Sequence, residues 1–316
     1  MKLFKAITAY ITYRRTLGDL FCTNGRILLA FAKAMGRQKN VSNIQPGEVL
    51  RFLNGTGPIT ANWHAKFQAL RHFFLYAIGR GYIGRSPLPT VIPKRPPAFV
   101  PYLYTHLELR ALLNASLTYQ KNRSRIDPAM VRTILLLLYA TGLRVRIVIS
   151  LTMADVNLPE KLLLIRQTKF RKTRWVPFSR QVAKILAAYA RKRRRNGHPQ
   201  DPEAPFFISR DGRPINQATL EGAFQRIREK AGVRRNDGAR YQPRLHDLRH
   251  TFAVDRLTAW YKQGADVQKW LPVLSVYLGH THLAATSVYL TMTPMLLDQA
   301  NRLFQRYAFP QEDFHD

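Results

Sequence analysis

The sequence predicts a mainly α-helical protein with one small antiparallel β-sheet, organised as two domains. Three observations point to this class. Apolar residues recur at helical spacing over most of the chain, two short β-like runs flank a basic turn near its middle, and six of the fifteen residues from Pro87 to Pro101 are proline. Proline fixes φ and has no N–H to donate, so neither a helix nor a central strand accommodates that stretch. It reads as a stiff linker over residues 89–102, between an N-terminal helical domain of residues 1–88 and a C-terminal domain of residues 103–316. At 316 residues the chain is long enough to bury two cores.

From Lys5 to Leu17, apolar Ile7, Tyr10, Ile11 and Leu17 fall at helical spacing, and a second helix is expected from Asn24 to Met35. Pro46 suits the first turn of a short helix ahead of Glu48, Leu50 and Leu53. Thr60 is placed to cap a long helix whose apolar face carries Phe67, Leu70, Phe74, Ala77 and Ile78. Lys66, Arg71 and Arg80 lie off that stripe, on a face that is either simply solvated or in contact with a nucleic-acid backbone.

Past the linker, Thr105-x-x-Glu108 is a capping box that opens the next helix. A further helix covers Ala129 to Ala140 and stops at Thr141-Gly142, which places Arg144 at a helix junction and leaves Val145, Ile147 and Val148 for the core. Two strand-like runs follow, Lys161 to Gln167 and Arg174 to Phe178, joined by a basic turn containing Lys169 and Arg171. Taken alone, a lysine on such a tip need be no more than a solvated charge. The helix after Ser179 ends in Arg191-Lys192-Arg193-Arg194-Arg195, a solvated basic cap or a phosphate contact. A helix from Gln217 to Ala231, a basic loop from Arg234 to Tyr241 and a terminal helix from Met295 to Tyr307 complete the series.

The formal net charge of +31 and a pI near 11.0 imply a polyanionic partner, while 46% apolar content argues against disorder. Nucleic acid is favoured over membrane, because no run approaches about 18 apolar residues and no N-terminal signal pattern appears. The single cysteine, Cys22, rules out an internal disulfide and reads as a reduced core thiol. No HExxH-type histidine spacing and no glycine-rich phosphate loop are present, so phosphate chemistry would proceed without an evident metal cage, ATP or other cofactor.

The chemistry-bearing stretch runs from Arg244 to Tyr289. It holds His246-x-x-Arg249-His250, then Leu278-Gly279-His280, then Tyr289 nine residues after that histidine. On a helix, His246 and Arg249 are one turn apart and share a face, so both reach one small anion. Arginine's planar fork suits a phosphate, and a tyrosine brought to that phosphate is a possible nucleophile. Singly, each of these residues is more simply a core residue with one satisfied hydrogen bond. The order and spacing of the set argue otherwise: with 14 Tyr among 316 residues, a tyrosine falls at a given offset with a chance of about 4%.

Together, Thr141-Gly142-Leu143-Arg144, the hairpin Lys169, His246-x-x-Arg249-His250, Leu278-Gly279-His280 and Tyr289 resemble the active-site signature of the tyrosine recombinases, also called the phage integrase family. The resemblance covers most of residues 103–307, and residues 1–88 resemble more loosely the family's SAM-like core-binding domain. It implies a two-domain clamp around duplex DNA. Tyr289 would attack a phosphodiester to give a 3′-phosphotyrosine, with Arg144 and Arg249 on the non-bridging oxygens. His246 would assist proton transfer, His280 would hydrogen-bond the phosphate, and Lys169 would protonate the leaving 5′-oxygen. Lys66, Arg71, Arg171 and Arg244 are the expected DNA contacts. The resemblance also implies a tetramer on paired sites, accessory proteins, a cytoplasmic, nucleoid-associated setting and service to a mobile element.

Two departures stand out. The family usually carries Glu or Asp, thought to steady the site, where this chain has Ile147, and a local insertion is expected around Trp270-Leu271-Pro272. A DNA-binding homologue with weak or no catalysis, and a type IB topoisomerase, are the alternative readings.

Overall fold

The computed structural model describes residues 1–96, 99–120, 124–166, 173–280, 282–291 and Asp298. The chain divides into two units, Met1–Phe99 and Val100–Asp316.

The first unit contains four helices, α1 (Leu3–Thr16), α2 (Cys22–Met35), α3 (Pro46–Asn54) and α4 (Ala61–Gly79). Local chemistry sets their ends. Pro46 occupies the first turn of α3, where a missing N–H costs nothing, and the Glu48 carboxylate accepts from the Gln45 backbone N–H at 3.0 Å. The Thr60 hydroxyl accepts from Asn62 N–H at the start of α4. Helix α4 packs on all three of the others, so its buried arc is wider than one stripe. Phe73, absent from the predicted face, is fully buried there, whereas Ile78 and Leu17 prove exposed. Cys22 is likewise exposed, not a core thiol: it opens α2, with Sγ 3.4 Å from the Leu20 carbonyl.

The second unit is built on α5 (His106–Ala115), α6 (Pro128–Thr141), the short α7 (Val145–Ile149), α8 (Arg180–Arg195), α9 (Gln217–Lys230), α10 (Asp247–Lys262), α11 (Val267–Leu278) and α12 (Ala284–Ser287). Tyr289 lies in a 3-10 turn, Val288–Thr291, directly after α12. Thr105 and Glu108 form the capping box of α5. Helix α6, apolar on almost every side, is the central element and packs against α7, α8 and α10.

A three-stranded antiparallel sheet, β1 (Val156–Asn157), β2 (Leu162–Ile165) and β3 (Arg174–Pro177), pairs Leu163 with Val176 on its buried face and Ile165 with Arg174 at its end. Strand β1 was not foreseen, since two residues are too few for alternation to register. The β2–β3 turn with Lys169 and Arg171, and almost all of the expected terminal helix, lie outside the described residues.

One further expectation needs correction. The basic end of α8 is not uniformly solvated, because Arg193 is fully buried and donates to the Pro205 carbonyl at 3.0 Å. Trp270, Leu271 and Pro272, around which a local insertion is expected, belong to the continuous α11, with Pro272 inside it. Among the described residues no helix is long and apolar enough to cross a membrane.

Candidate active site

Two helix C-termini meet at the site, and each ends on a glycine with positive φ. Helix α6 stops at Gly142 (φ +60°) and α11 at Gly279 (φ +68°), a conformation that costs an L side chain about 1–2 kcal/mol. Space forbids a side chain as well. A Cβ on Gly142 would lie 2.4 Å from Phe252, and one on Gly279 would lie 2.6 Å from the Arg174 guanidinium.

The last carbonyls of a helix have no partner within it and carry the negative end of its dipole, so they attract cations. Those of α11 hold three arginines. Arg249 Nη2 donates to Leu278 O at 2.9 Å, Arg144 Nη1 to Gly279 O at 3.2 Å, and Arg174 Nε to Tyr277 O at 3.2 Å. Arg249 also donates from Nη1 to Gly142 O at 2.7 Å, so one side chain from α10 ties both helix ends together. Arg249 is 2% exposed, and burial, set against the attraction of the Tyr289 phenol, draws its pKa down to about 10. It therefore stays charged at neutral pH.

His280, just past the α11 cap, sits between Arg249 and Thr286. Arg249 Nη2 is 2.7 Å from its Nε2, and Nδ1 is 2.7 Å from the Thr286 hydroxyl. Arginine can only donate, so Nε2 accepts and the neutral ring carries its proton on Nδ1, facing Thr286. Burial, then the charges of Arg249 and Arg144, hold the His280 pKa down at about 4.

His246 is the N-cap residue of α10, one step short of the helical position that the spacing suggested. Its surface is open to solvent, yet lost hydration around the ring, with the Arg249 and Arg244 charges, depresses its pKa to about 4. His250, further along α10, stacks edge-on against His246 at 5.1 Å and lies 5.5 Å from the Tyr289 ring. The Tyr289 side chain is buried, with its ring 6.1 Å from that of His280. Burial raises its pKa; the nearby Arg249, and behind it Arg144, oppose that rise.

Arg144, His246, Arg249, His280 and Tyr289 are thus gathered around the α11 terminus. Lys169 and Arg171 lie outside the described residues. Arg244 is at the edge, its guanidinium 2.9 Å from the fully buried Asp247 carboxylate. In the first unit, Arg71 is exposed on α4, while the Lys66 ammonium is engaged by the Phe52 carbonyl at 2.8 Å and lies 4.7 Å from the centre of its ring. Ile147 is half-buried and packs on the main core.

Arg174 and Thr286 were not singled out from the sequence as site residues, and His250 was named only within its motif, with no role of its own. Only His250, adjacent to Arg249, carried a sequence signal.

Among the described residues, no carboxylate forms an ion pair with Arg144, Arg174 or Arg249. Clustered guanidiniums without counter-ions, faced by a phenol, suit an enzyme that binds a phosphate and transfers it to a side chain. Comparison with known proteins agrees. Residues 104–294 match the phage integrase family. The integrase/recombinase y4rB of Sinorhizobium fredii is 31% identical over 305 residues, covering 96% of this chain and 96% of that one. Tyrosine recombinase XerC of Chlamydia caviae is 27% identical over 236 residues, covering 75% of this chain and 69% of its own. The solved structure of the Tn1549 transposon integrase with transposon right end DNA has the same fold, with a TM-score of 0.69 at 16% identity over 98% of this chain and 100% of that one. A lambda integrase dimer bound to a COC' core site gives 0.65 at 17% identity over 92% of this chain and 78% of that one. The chain belongs to the phage integrase family, the tyrosine recombinases.

Proposed function

We propose that this chain performs site-specific DNA recombination with Tyr289 as its nucleophile, in the service of a mobile element. The observation that supports the residue assignment is that Tyr289 lies buried beside Arg249 and stacked on His280 within its own chain. The phenol oxygen attacks the scissile phosphorus, the P–O5′ bond breaks, and the phosphate stays on the DNA 3′ end as a phosphotyrosine. The phenol proton passes to His246 and the leaving 5′-oxygen takes a proton from Lys169. Attack by a 5′-hydroxyl from the partner duplex reverses each transfer, so bond energy is conserved and no nucleotide hydrolysis is required.

The electrostatics fit this division of roles. A phenol of ordinary pKa about 10 costs roughly 4 kcal/mol to ionise at pH 7, and burial adds to that, so a base is needed. With its pKa held at about 4, His246 is a neutral acceptor, and an arriving phosphate moves that pKa upward, toward the range of an effective base. Arg144 and Arg249 are preorganised by backbone carbonyls to meet the charge that grows on the phosphoryl oxygens.

Duplex DNA is the substrate and paired sites call for a homo-oligomer, a tetramer on the family pattern. The transposon integrase and the lambda integrase dimer, both solved on DNA, support DNA as the partner and an oligomeric arrangement. Residues 1–88 serve as the core-binding domain, with Arg71 as its exposed candidate contact. A nicked suicide substrate tests the reading: wild type yields a protease-sensitive covalent adduct, and Tyr289→Phe yields none while still shifting the DNA. A chain that binds target DNA and forms no adduct is instead a DNA-binding homologue, a reading favoured by the apolar Ile147 where the family carries an acid.

A further inference from the structure

We infer that Arg174 is a positioning residue of the strand-cleavage site, holding the end of α11 in the geometry that aims Arg249, Arg144 and His280. The inference rests on the reading of Tyr289 as nucleophile and concerns a side chain outside the set that carries the chemistry.

Arg174 is the first residue of β3, yet its side chain leaves the sheet for the end of α11. Nε donates to Tyr277 O at 3.2 Å and Nη2 more weakly to Leu278 O at 3.4 Å. Leu278 O is also the carbonyl that orients Arg249, which donates to it at 2.9 Å, and the next carbonyl, Gly279 O, orients Arg144. The Arg174 guanidinium lies where a side chain on residue 279 would stand, which ties the glycine at that position to the arginine on β3. Tyr277 closes the same contact from the other side, its hydroxyl donating to Pro177 O at the far end of β3. The sheet and the α11 terminus are therefore clasped at both ends of one strand.

Carbonyls left free at a helix end fray unless something binds them. Arg174 binds two of the three that the site uses, and a planar guanidinium can span adjacent carbonyls where an ammonium makes a single point contact. Burial, and then the neighbouring Arg144 charge, lower the Arg174 pKa, so like charge is held here against its own repulsion. An arginine kept in such a place with no carboxylate partner among the described residues is better explained by the phosphate site than by stability alone.

The test uses the full chain on the nicked suicide substrate, with single-turnover adduct formation and DNA affinity measured separately, together with Tm. Arg174→Ala is expected to slow adduct formation on the order of 10- to 100-fold while affinity changes less than about threefold and Tm by a few degrees. Arg174→Lys keeps the charge and should recover only a minor part of the rate. The inference is overturned if Arg174→Ala cleaves within about twofold of wild type, if its loss follows DNA affinity alone, or if Arg174→Lys restores the full rate. Should Arg174→Ala not fold, Arg174→Gln and Arg174→Lys carry the comparison on the same criteria, rate loss with retained affinity supporting the role and retained rate refuting it. Failure of the underlying reading looks different, since wild type itself would then give no adduct.

Discussion

Arg249 and His280 share one hydrogen bond of 2.7 Å, from the guanidinium Nη2 to the ring Nε2, and Thr286 holds the opposite ring nitrogen at the same distance. With Nε2 occupied by Arg249, His280 is an acceptor at that nitrogen. To donate to a phosphate it must move its proton to Nε2 or gain a second one. The Thr286 hydroxyl permits the first route, because it can donate as well as accept. Thr286→Val removes that option and leaves a buried nitrogen unpaired, a loss of about 1–2 kcal/mol. Adduct formation is expected to fall about tenfold with little change in DNA affinity. Unaltered cleavage by this variant would remove Thr286 from the working site.

Arg249 should be the least replaceable cation. It is buried and donates to two carbonyls from different helix ends, so Arg249→Lys loses the fork geometry even though it keeps the charge. Cleavage is expected to drop on the order of 10²–10³-fold. Single-turnover kinetics at saturating DNA give the comparison, and a lysine variant within a few-fold of wild type would contradict it.

Gly142→Ala should destabilise the second unit. Residue 142 has φ +60°, and the new Cβ would meet the Phe252 ring at 2.4 Å. Left-handed backbone strain and overpacking together amount to about 2–5 kcal/mol. A urea titration reads this as a lower midpoint at constant slope.

Stability should fall in mild acid. His246, His250 and His280 are held at about 4, 3 and 4, chiefly by burial. Their folded pKa values lie below the unfolded value of about 6.5, so the unfolded chain binds more protons in the window beneath it. The contribution is complete above about pH 6.5 and is lost as pH falls from there toward 4. Urea midpoints at pH 7.5, 6 and 5 follow it, and His250→Gln should flatten the profile; equal slopes for variant and wild type would count against the assignment.

Arg71 and Lys66 should separate cleanly. Arg71 is exposed, so Arg71→Ala is expected to reduce the slope of log affinity against log salt by about 0.9. The Lys66 ammonium is already held by the Phe52 carbonyl and lies against its ring, so Lys66→Ala should lower Tm and leave the salt slope unchanged.

The sequence was most legible where chemistry is local. Thr60 and the Thr105/Glu108 pair announce helix starts through hydroxyl and carboxylate groups, and Gly142 announces a helix stop, where the structure gives it a φ of +60°. Arg144, His246, Arg249, His280 and Tyr289 were expected because their motifs, taken in order, resemble a family signature, and the structure gathers them around the α11 terminus. Arg174 and Thr286 escaped notice for the opposite reason. An arginine opening a strand and a threonine in a short helix look ordinary, and only tertiary contact gives each a partner about a hundred residues away in one case and six in the other. The two-residue β1, the buried Arg193 and the exposed Cys22 were also beyond periodicity, which reports the face of an element and not what covers it.

Three cations lean on peptide oxygens at residues 277, 278 and 279, and peptide oxygens are the same whatever amino acid supplies them. Evolution can therefore redecorate the outer surface of α11, where Val273 and Val276 face solvent, without disturbing what the arginines grip. It cannot so easily change the number of residues. One residue added or deleted ahead of the terminus turns it by about 100° and shifts it by about 1.5 Å, and all three anchor points swing away at once. The tolerance of this helix is for spelling, not for length.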